Sequence, residues 1–332
     1  MEERNVDAVV VGGGPAGLSA TLWLARYRRS VLLLDGGSYR NHSVELVHGY
    51  LGSDPTPPDV LREKARRDLE RYPYVTIEQA DVPSIDRRGD LFVVHASTGA
   101  VLARRIVLCT GVRDEVPEIE GFDEHYGKTV FHCPTCDGYE ARGRRVAVLG
   151  SRPEVAAFAL GMLDWAQSVA VVTGGAPLEV SSSVGELLAS EPVRVVEEKA
   201  SALVGEPGHL EGLRLADGTT IDCDMVFFTI GHHPRSELAV ALGCETDEDG
   251  YIRIDEQGLT CIPGVYAAGD VTPGLQLVQV AAAQGTAAGV ACAQSLRGEL
   301  GAPTSPRPAP DPGSLDDGDE GAGLHWSAGG DR

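Results

Sequence analysis

Short apolar segments alternate with amphipathic ones in the first part of the chain, and this alternation predicts its first structural unit. Residues 7–11 have the composition of a short buried strand, residues 18–25 that of a helix, and residues 30–34 that of a second strand. Residues 58–71 begin with proline and have an acid in the first turn, as expected of a helix. Alternating patterns predict further strands at residues 75–79, 91–97 and 101–108.

The same pattern occurs again in the middle of the chain. Residues 145–149 form an apolar strand followed by a glycine turn and a helix start, and residues 169–172 give the next strand. Further elements are predicted as strands at residues 193–196, 210–215 and 220–230 and as an Ala- and Gly-rich helix at about 278–296. This order predicts an α/β fold with two Rossmann-like nucleotide-binding domains, each a three-layer ββα arrangement, accompanied by β-meanders.

Composition and charge narrow the class of protein. The 332 residues suffice for about two domains, and the net charge of −21 argues against nucleic-acid binding, which needs a basic surface. No segment reaches the ~18 apolar residues of a membrane span, and no signal-peptide region is visible. Seven cysteines without regular spacing argue against a secreted disulfide scaffold, so we expect a cytoplasmic protein without a membrane partner.

The last segment, residues 301–332, differs in composition from the rest of the chain. It is rich in proline, glycine and aspartate and has few large apolar side chains. Because such a segment cannot bury enough apolar surface to order itself, we expect an acidic, disordered tail.

A glycine-rich turn lies between the first predicted strand and helix. Gly12, Gly14 and Gly17 fit the pattern G-x-G-x-x-G. In this pattern the first glycine makes the tight turn, the second admits a pyrophosphate, and the third lets the helix pack on the strand. Asp35 ends the second strand at a spacing that suits a ribose hydroxyl. Strand, turn, helix and acid together predict a dinucleotide site.

Two cysteines, two residues apart, are the candidate redox centre. Cys133 and Cys136 enclose Pro134 and Thr135, and Asp137 follows directly. Such a pair closes a disulfide or opens to a dithiol, and Asp137 is placed to carry a proton. The alternative is half of a zinc site. Because zinc needs four ligands and the other five cysteines are isolated, we favour redox chemistry and expect no metal site.

Four motifs, in this order, resemble the low-molecular-weight thioredoxin reductases over about residues 5–298: the glycine turn, Thr110-Gly111, the Cys133–Gly138 segment and Gly269-Asp270. The resemblance implies an FAD-binding domain split between residues 1–114 and 236–300. It also implies a pyridine-nucleotide-type domain at residues 115–235, which carries the cysteine pair and is inserted in the first, and a homodimer.

The resemblance also implies roles for individual residues. The acid that matches Asp270 bonds the flavin ribitol, and the residues that match Gln279 and Val280 lie against the flavin ring. Cys136 would lie nearest the flavin, Cys133 would attack the partner disulfide, and Asp137 would be the acid and base. The implied FAD-binding residues are Gly12, Gly14, Pro15, Ala16, Gly17, Asp35, Gly36, Arg40, Asn41, Thr110, Gly111, Gly269, Asp270, Gln279 and Val280.

The second glycine turn departs from the family pattern. Arg152 stands where backbone must approach a pyrophosphate, and Pro153 follows it. No lysine or arginine occurs at residues 153–192, where the family places cations for the 2′-phosphate of NADPH. We therefore consider NADPH a doubtful cofactor, and no acid ends the strand to favour NADH. The alternative is a variant turn that still binds NADPH, with Arg152 reaching the pyrophosphate.

Other residues near these motifs leave alternatives open. His132 is either an imidazolium that lowers the pKa of Cys133 or a hydrogen-bonded structural histidine. Residues 39–41 and 48–52 look more like the related fungal and bacterial dithiol oxidases, which close disulfides in small natural products. Some of those oxidases have histidine where this chain has Asp137, so that position favours the reductases.

Three functional hypotheses follow from these patterns. The leading one is an FAD-dependent dithiol–disulfide oxidoreductase that exchanges electrons with a thioredoxin-like protein or a small-molecule dithiol or disulfide. The second is a dithiol oxidase that returns the electrons to oxygen. The third, of a different class, is a flavin-bound redox sensor without turnover, whose acidic tail docks a partner.

Overall fold

The computed structural model describes residues 4–229 and 231–297, which form two mainly parallel sheets with helices packed on them. The strands are β1 (Arg4–Val11), β2 (Val31–Asp35), β3 (Val75–Gln79), β4 (Ser84–Arg88), β5 (Leu91–Ala96), β6 (Gly99–Leu108), β7 (Val112–Asp114), β8 (Val130–Phe131), β9 (Arg145–Leu149), β10 (Ser168–Val172), β11 (Val193–Val196), β12 (Ala200–Glu206), β13 (His209–Leu215), β14 (Thr220–Asp222), β15 (Met225–Phe228), β16 (His232–Pro234) and β17 (Val265–Ala267).

The helices are α1 (Pro15–Arg26), α2 (Pro58–Glu70), α3 (Phe122–His125), α4 (Pro134–Asp137), α5 (Glu154–Met162), α6 (Ser182–Ser190), α7 (Glu237–Ala241) and α8 (Val278–Ser295). A 3-10 turn, Gly138–Ala141, follows α4 directly. The predicted tail at residues 301–332 lies outside the described residues. Within the described part of the chain, no helix combines the length and apolarity needed to cross a membrane.

The first sheet holds the glycine turn. Its strand order is β3-β2-β1-β6-β5-β4, and β17 also pairs with β6. β1 is parallel to β2 and β6, whereas β4, β5 and β6 pair antiparallel. Both faces of β1 are covered, since Val10 packs in a cluster with Leu24 of α1, and Val9 packs in another with Phe92. This double burial explains the continuous apolar run that predicts the strand.

The second sheet is parallel and has the order β11-β10-β9-β15-β8. Val148 packs on one side with Met162 of α5, while Phe228 packs on the other with Leu213 of the antiparallel meander β12-β13-β14. β7 and β16, which precede and follow this unit in the chain, pair antiparallel. The predicted α/β class with two Rossmann-like sheets and meanders is confirmed. The exact boundaries at residues 114 and 236 stay a prediction.

One predicted strand, residues 220–230, is two strands in different sheets. β14 pairs with β13 in the meander, and β15 pairs with β9 in the parallel sheet. The chain turns between them at Asp224, whose carboxylate accepts hydrogen bonds from the Arg145 backbone nitrogen at 2.8 Å and from its guanidinium at 2.7 Å. The sequence does not show this break because apolar residues continue on both sides of it.

Helices α1 and α8 approach until their backbones touch. A Cβ atom at Gly285 would lie 2.1 Å from the Ala16 carbonyl oxygen, and one at Gly289 would lie 2.6 Å from that of Ala20. Ser19 and Thr286 hydroxyls also share a hydrogen bond of 2.8 Å across the contact. Because α1 starts directly after the glycine turn, this contact holds the turn in place.

Gly285→Ala should therefore destabilise the protein, because the added methyl group must push the two helices apart. Overpacking of this kind costs about 1–3 kcal/mol. Gly161→Ala in α5 is the matched control, since a Cβ there meets nothing within 4 Å. The control should be neutral or gain up to about 1 kcal/mol. Thermal or urea unfolding of both variants measures the difference; equal midpoints would contradict the account.

Candidate active site

The glycine turn is built as the sequence predicts. Gly12 has a φ of +108°, a conformation that suits only glycine, and a Cβ at Gly17 would lie 1.8 Å from the Gly12 carbonyl oxygen. A Cβ at Gly14 would meet nothing within 4 Å, so this side of the turn is open. Gly14 also caps α1 without a side-chain hydrogen bond. The first backbone N–H groups of α1 are thus available to an anion.

These N–H groups open on a cavity of about 630 Å³. Its size and its open helix N-terminus fit a dinucleotide such as FAD. The cavity wall includes most of the residues that the sequence assigns to the site: Gly12, Gly14, Pro15, Ala16, Asp35, Gly36, Arg40, Asn41, Thr110, Gly111, Cys133, Cys136, Asp137, Gly269 and Asp270. Residues more than two hundred positions apart in sequence are thereby brought together.

Three assigned residues lie off the cavity wall. Gly17 is buried where α1 packs on the turn, which is the place its predicted role requires. Gln279 is exposed beside Gly49, and Val280 is half-buried. At the start of α8 the wall is instead made by Leu277, Val278, Ala281 and Ala282. The contact of Gln279 and Val280 with a flavin ring stays a prediction.

The cysteine pair is closed as a disulfide at the start of α4. Cys133 caps the helix, and its Sγ accepts a hydrogen bond of 3.1 Å from the Cys136 backbone N–H. Pro134 occupies the first turn of α4, where its missing N–H costs nothing. The two Cα atoms are 5.2 Å apart. Both cysteines line the same cavity as the glycine turn, so this geometry favours redox chemistry over the zinc alternative.

Asp137 is a buried carboxyl beside this disulfide. Its residue is 8% exposed. Burial, and then the charge of Glu140, raise the pKa of Asp137 to about 7. A carboxyl with that pKa exchanges a proton readily at neutral pH, which suits the predicted acid–base role.

Arg40 joins two acids across the cavity. Its guanidinium donates two hydrogen bonds of 2.8 Å to Asp114 and one of 3.0 Å to Asp270. It also donates to the Gln276 side-chain oxygen at 2.6 Å. Burial alone would raise the pKa of Asp114, but hydrogen bonds from His232 and Arg40 outweigh it and hold that pKa well below its usual range. Asp114 therefore stays ionised as the anchor of this network.

His132 is neutral near pH 7 in this setting. Burial lowers the pKa of His132 to about 4. Its Nδ1 atom shares a hydrogen bond of 3.1 Å with the Tyr126 hydroxyl, and its Nε2 atom lies 3.9 Å from Asp114. A neutral imidazole lowers the pKa of a neighbouring thiol much less than a cation would. The geometry favours the structural interpretation over the imidazolium.

Asp35 shares its carboxylate among several donors at the end of β2. It accepts hydrogen bonds from the Gly37 backbone N–H at 2.9 Å, from the Tyr39 hydroxyl at 2.5 Å and from Arg66 of α2. An ionised carboxylate has about four acceptor positions, so these donors leave room for a ribose hydroxyl. α2 thus supplies a cation to the edge of the cavity.

Sequence reasoning missed several residues of the site. The connection between β2 and α2 contributes Leu46 to the wall, together with His48 and Tyr50 of the segment that resembles the dithiol oxidases, and Gln276 lies on the wall before α8. Asp114 and Glu140 act on the site through Arg40 and Asp137. Residues 48–52 were indicated in advance by their likeness to the dithiol oxidases, whereas no sequence pattern pointed to Leu46, Gln276, Asp114 or Glu140.

Comparison with known proteins agrees with this geometry. Residues 6–285 match the family described as pyridine nucleotide-disulphide oxidoreductase. A thioredoxin reductase of Claviceps purpurea, tcpT, is 32% identical over 312 residues, covering 89% of this chain and 95% of that protein. A protein of Arthroderma benhamiae named as a probable thioredoxin reductase is 42% identical over 155 residues, but the match spans only 38% of its length.

Among solved structures, the crystal structure of HlmI superposes with a TM-score of 0.83 at 36% sequence identity. The match covers 88% of this chain and 93% of that one. The family match is named for disulfide oxidoreductases, and both relatives are named as thioredoxin reductases. The chain belongs to the pyridine nucleotide-disulphide oxidoreductase family and is a thioredoxin reductase-like, FAD-dependent disulfide oxidoreductase.

Proposed function

We propose that this enzyme passes electron pairs between bound FAD and an external thiol or disulfide through Cys133 and Cys136, with weak or absent use of NADPH. The observation that carries the proposal is that the disulfide and the glycine turn line one cavity. When bound, FAD supplies the two-electron redox chemistry. A thioredoxin-like protein or a small dithiol as partner, a homodimer and a cytoplasmic location belong to the same proposal.

An external dithiol reduces the Cys133–Cys136 disulfide in two exchange steps. An external thiol gives its proton to Asp137 and attacks Cys133 Sγ; the Cys133–Cys136 bond breaks, and its electron pair stays on Cys136 as a thiolate. The second external thiol then attacks the external sulfur bound to Cys133, and Cys133 leaves with the proton released in this step. The external molecule leaves as a disulfide, and the pair holds two electrons. The reverse sequence reduces an external disulfide.

Weak NADPH use is supported first by the turn between β9 and α5. A Cβ at Gly150 would lie 2.2 Å from the Thr229 hydroxyl, so the first position of the turn is kept. Arg152 is exposed at the second position, and Pro153, which has no N–H, caps α5. Glu154 lies in the first turn of α5, where its charge opposes a phosphate.

The end of β10 gives the second support. Beyond Val172, Thr173 turns inward and bonds the Ala176 carbonyl oxygen, and Gly174 donates its backbone N–H to the Glu198 carbonyl oxygen at 3.1 Å. Glu197 and Glu198 follow β11 directly. The connection from the end of β10 to residue 192 thus has no lysine or arginine, and the first cation after it is Arg194 within β11. Each missing charge-assisted hydrogen bond is worth roughly 1.5–3 kcal/mol.

An oxygen-dependent dithiol oxidase is the second candidate. In it, a small dithiol loses two electrons and two protons, which reduce oxygen to hydrogen peroxide. The observation that favours it is the wall of the cavity that contains the disulfide, to which Leu46, His48 and Tyr50 supply one apolar, one ionisable and one aromatic side chain. Such a wall suits a small organic molecule. Peroxide formed in step with dithiol consumption would select this candidate over a protein disulfide reductase.

Mutation should distinguish the roles of the two cysteines. Cys136→Ser should keep FAD bound but lose electron exchange with dithiothreitol, because the pair can no longer close. Cys133→Ser should leave a thiolate at Cys136 that gives the flavin a long-wavelength charge-transfer band. Cys261→Ser, an exposed free cysteine elsewhere, is the control and should behave as the parent. If both pair variants keep full disulfide-exchange activity, the pair is structural and the proposal is wrong.

NADPH should be a poor electron donor. Loss of two or three phosphate contacts weakens binding by a factor on the order of a hundred or more. Under anaerobic conditions dithiothreitol should bleach the flavin band, whereas millimolar NADPH should do so slowly or not at all. Reduction by micromolar NADPH within the dead time of a stopped-flow instrument would contradict this proposal.

Arg152→Gly distinguishes the two interpretations of the altered turn. If Arg152 obstructs the pyrophosphate, the variant should reduce faster with NADPH than the parent does. If Arg152 binds the pyrophosphate, the variant should be slower by about tenfold, the loss of one charge-assisted hydrogen bond. Reduction by dithiothreitol, which does not use this turn, is the internal control.

A further inference from the structure

A second acid lies next to Asp137 without an evident structural partner of its own. Glu140 stands on the 3-10 turn that continues α4, three residues after Asp137. Its Oε2 atom is buried and, among the described residues, has no hydrogen-bond partner. A buried carboxylate oxygen left in this state costs free energy. That oxygen therefore contributes no stability to the fold, which favours a functional role for Glu140.

The other oxygen of Glu140 faces a histidine from the wall of the cavity. His48 Nδ1 lies 3.8 Å from Glu140 Oε1 and 3.7 Å from Asp54 Oδ1. His48 belongs to the connection between β2 and α2, far in sequence from the cysteine pair. Glu140 therefore lies between the turn that follows the cysteine pair and the connection that forms part of the cavity wall.

Among the groups that face Asp137, Glu140 is the main charged neighbour. The Tyr126 hydroxyl is on α3's C-terminal side, and burial raises the pKa of Tyr126 to about 12, so it is neutral. The cysteines are uncharged as a disulfide. His48 and Asp54 lie beyond Glu140. Burial, and then the negative charge of Glu140, raise the pKa of Asp137 and favour its protonated form.

The geometry points to Glu140 as a positioning residue of the dithiol–disulfide reaction, which acts on the proton of the neighbouring Asp137. This inference rests on the proposed function, in which Asp137 takes the proton of the incoming thiol. Glu140 makes the Asp137 carboxylate a stronger base but keeps it protonated to a higher pH. No electron passes through Glu140, and the proton that Asp137 accepts is later released to solvent or to a leaving thiolate.

Glu140→Gln removes the charge and keeps the shape of the side chain. We expect the pH at which Asp137 ionises to fall by about one unit, because burial still raises its pKa. Below pH 7, anaerobic flavin reduction by dithiothreitol should then be several-fold faster than in the parent. Above pH 8 it should be slower, since Asp137 is a weaker base. Rates taken as a ratio to the parent at each pH cancel the ionisation of dithiothreitol itself.

Glu211→Gln, on the exposed side of β13, is the matched control that removes the same charge elsewhere. Its rate ratio should stay near one at every pH. Crossing of the Glu140→Gln and parent curves supports the inference, because a merely structural change would lower the rate at all pH values alike. Parallel curves would overturn it.

A measurement without turnover separates this inference from the proposed function. In a difference infrared titration, the protonated carboxyl band that Asp137→Asn removes should disappear about one pH unit lower in Glu140→Gln than in the parent. If dithiothreitol fails to reduce the parent flavin, the proposed function is wrong, whereas an unmoved carboxyl band shows that Glu140 does not set the state of Asp137.

Discussion

The close approach of α1 and α8 is the contact on which the rest of the site depends. Gly285 and Gly289 let the two backbones touch, and α1 can then begin directly at the open glycine turn. Strands β1, β2 and β6 hold the other side of the turn. The contact with α8 and the strands together fix the orientation of α1. The free N–H groups at its N-terminus therefore point into the cavity.

The distribution of charged side chains then determines the chemistry of the cavity. Arg40 pairs with both Asp114 and Asp270, so the side of the cavity near β7 has a fixed ion cluster. On the disulfide side, Asp137 has no cation of this kind and holds its proton near neutral pH. One side thus anchors and the other exchanges protons, and Arg40 and Asp137 line the cavity that also contains the two cysteines. An enzyme that moves electrons with protons needs this division.

The sequence predicted the features that depend on neighbouring residues. It did not reveal the features that depend on contacts between distant segments. The Gly12 turn and the Cys133–Cys136 pair follow from spacing within a few residues, and the cavity contains both. Asp114 has no local signature, because its role depends on Arg40, 74 residues away in sequence, which only the fold brings to it. The split of the strand at Asp224 was missed for the same reason, since its hydrogen bonds to Arg145 join distant segments.

The central claim is that bound FAD and the cysteine pair exchange electrons directly, and one measurement tests it without any added thiol or nucleotide. The holoenzyme is photoreduced under anaerobic conditions with EDTA as the sacrificial electron donor, alkylated, and analysed by mass spectrometry. We predict that Cys133 and Cys136 become alkylated as electrons enter, with exposed Cys261 labelled throughout as the internal standard. A fully reduced flavin beside an intact Cys133–Cys136 disulfide would contradict the account.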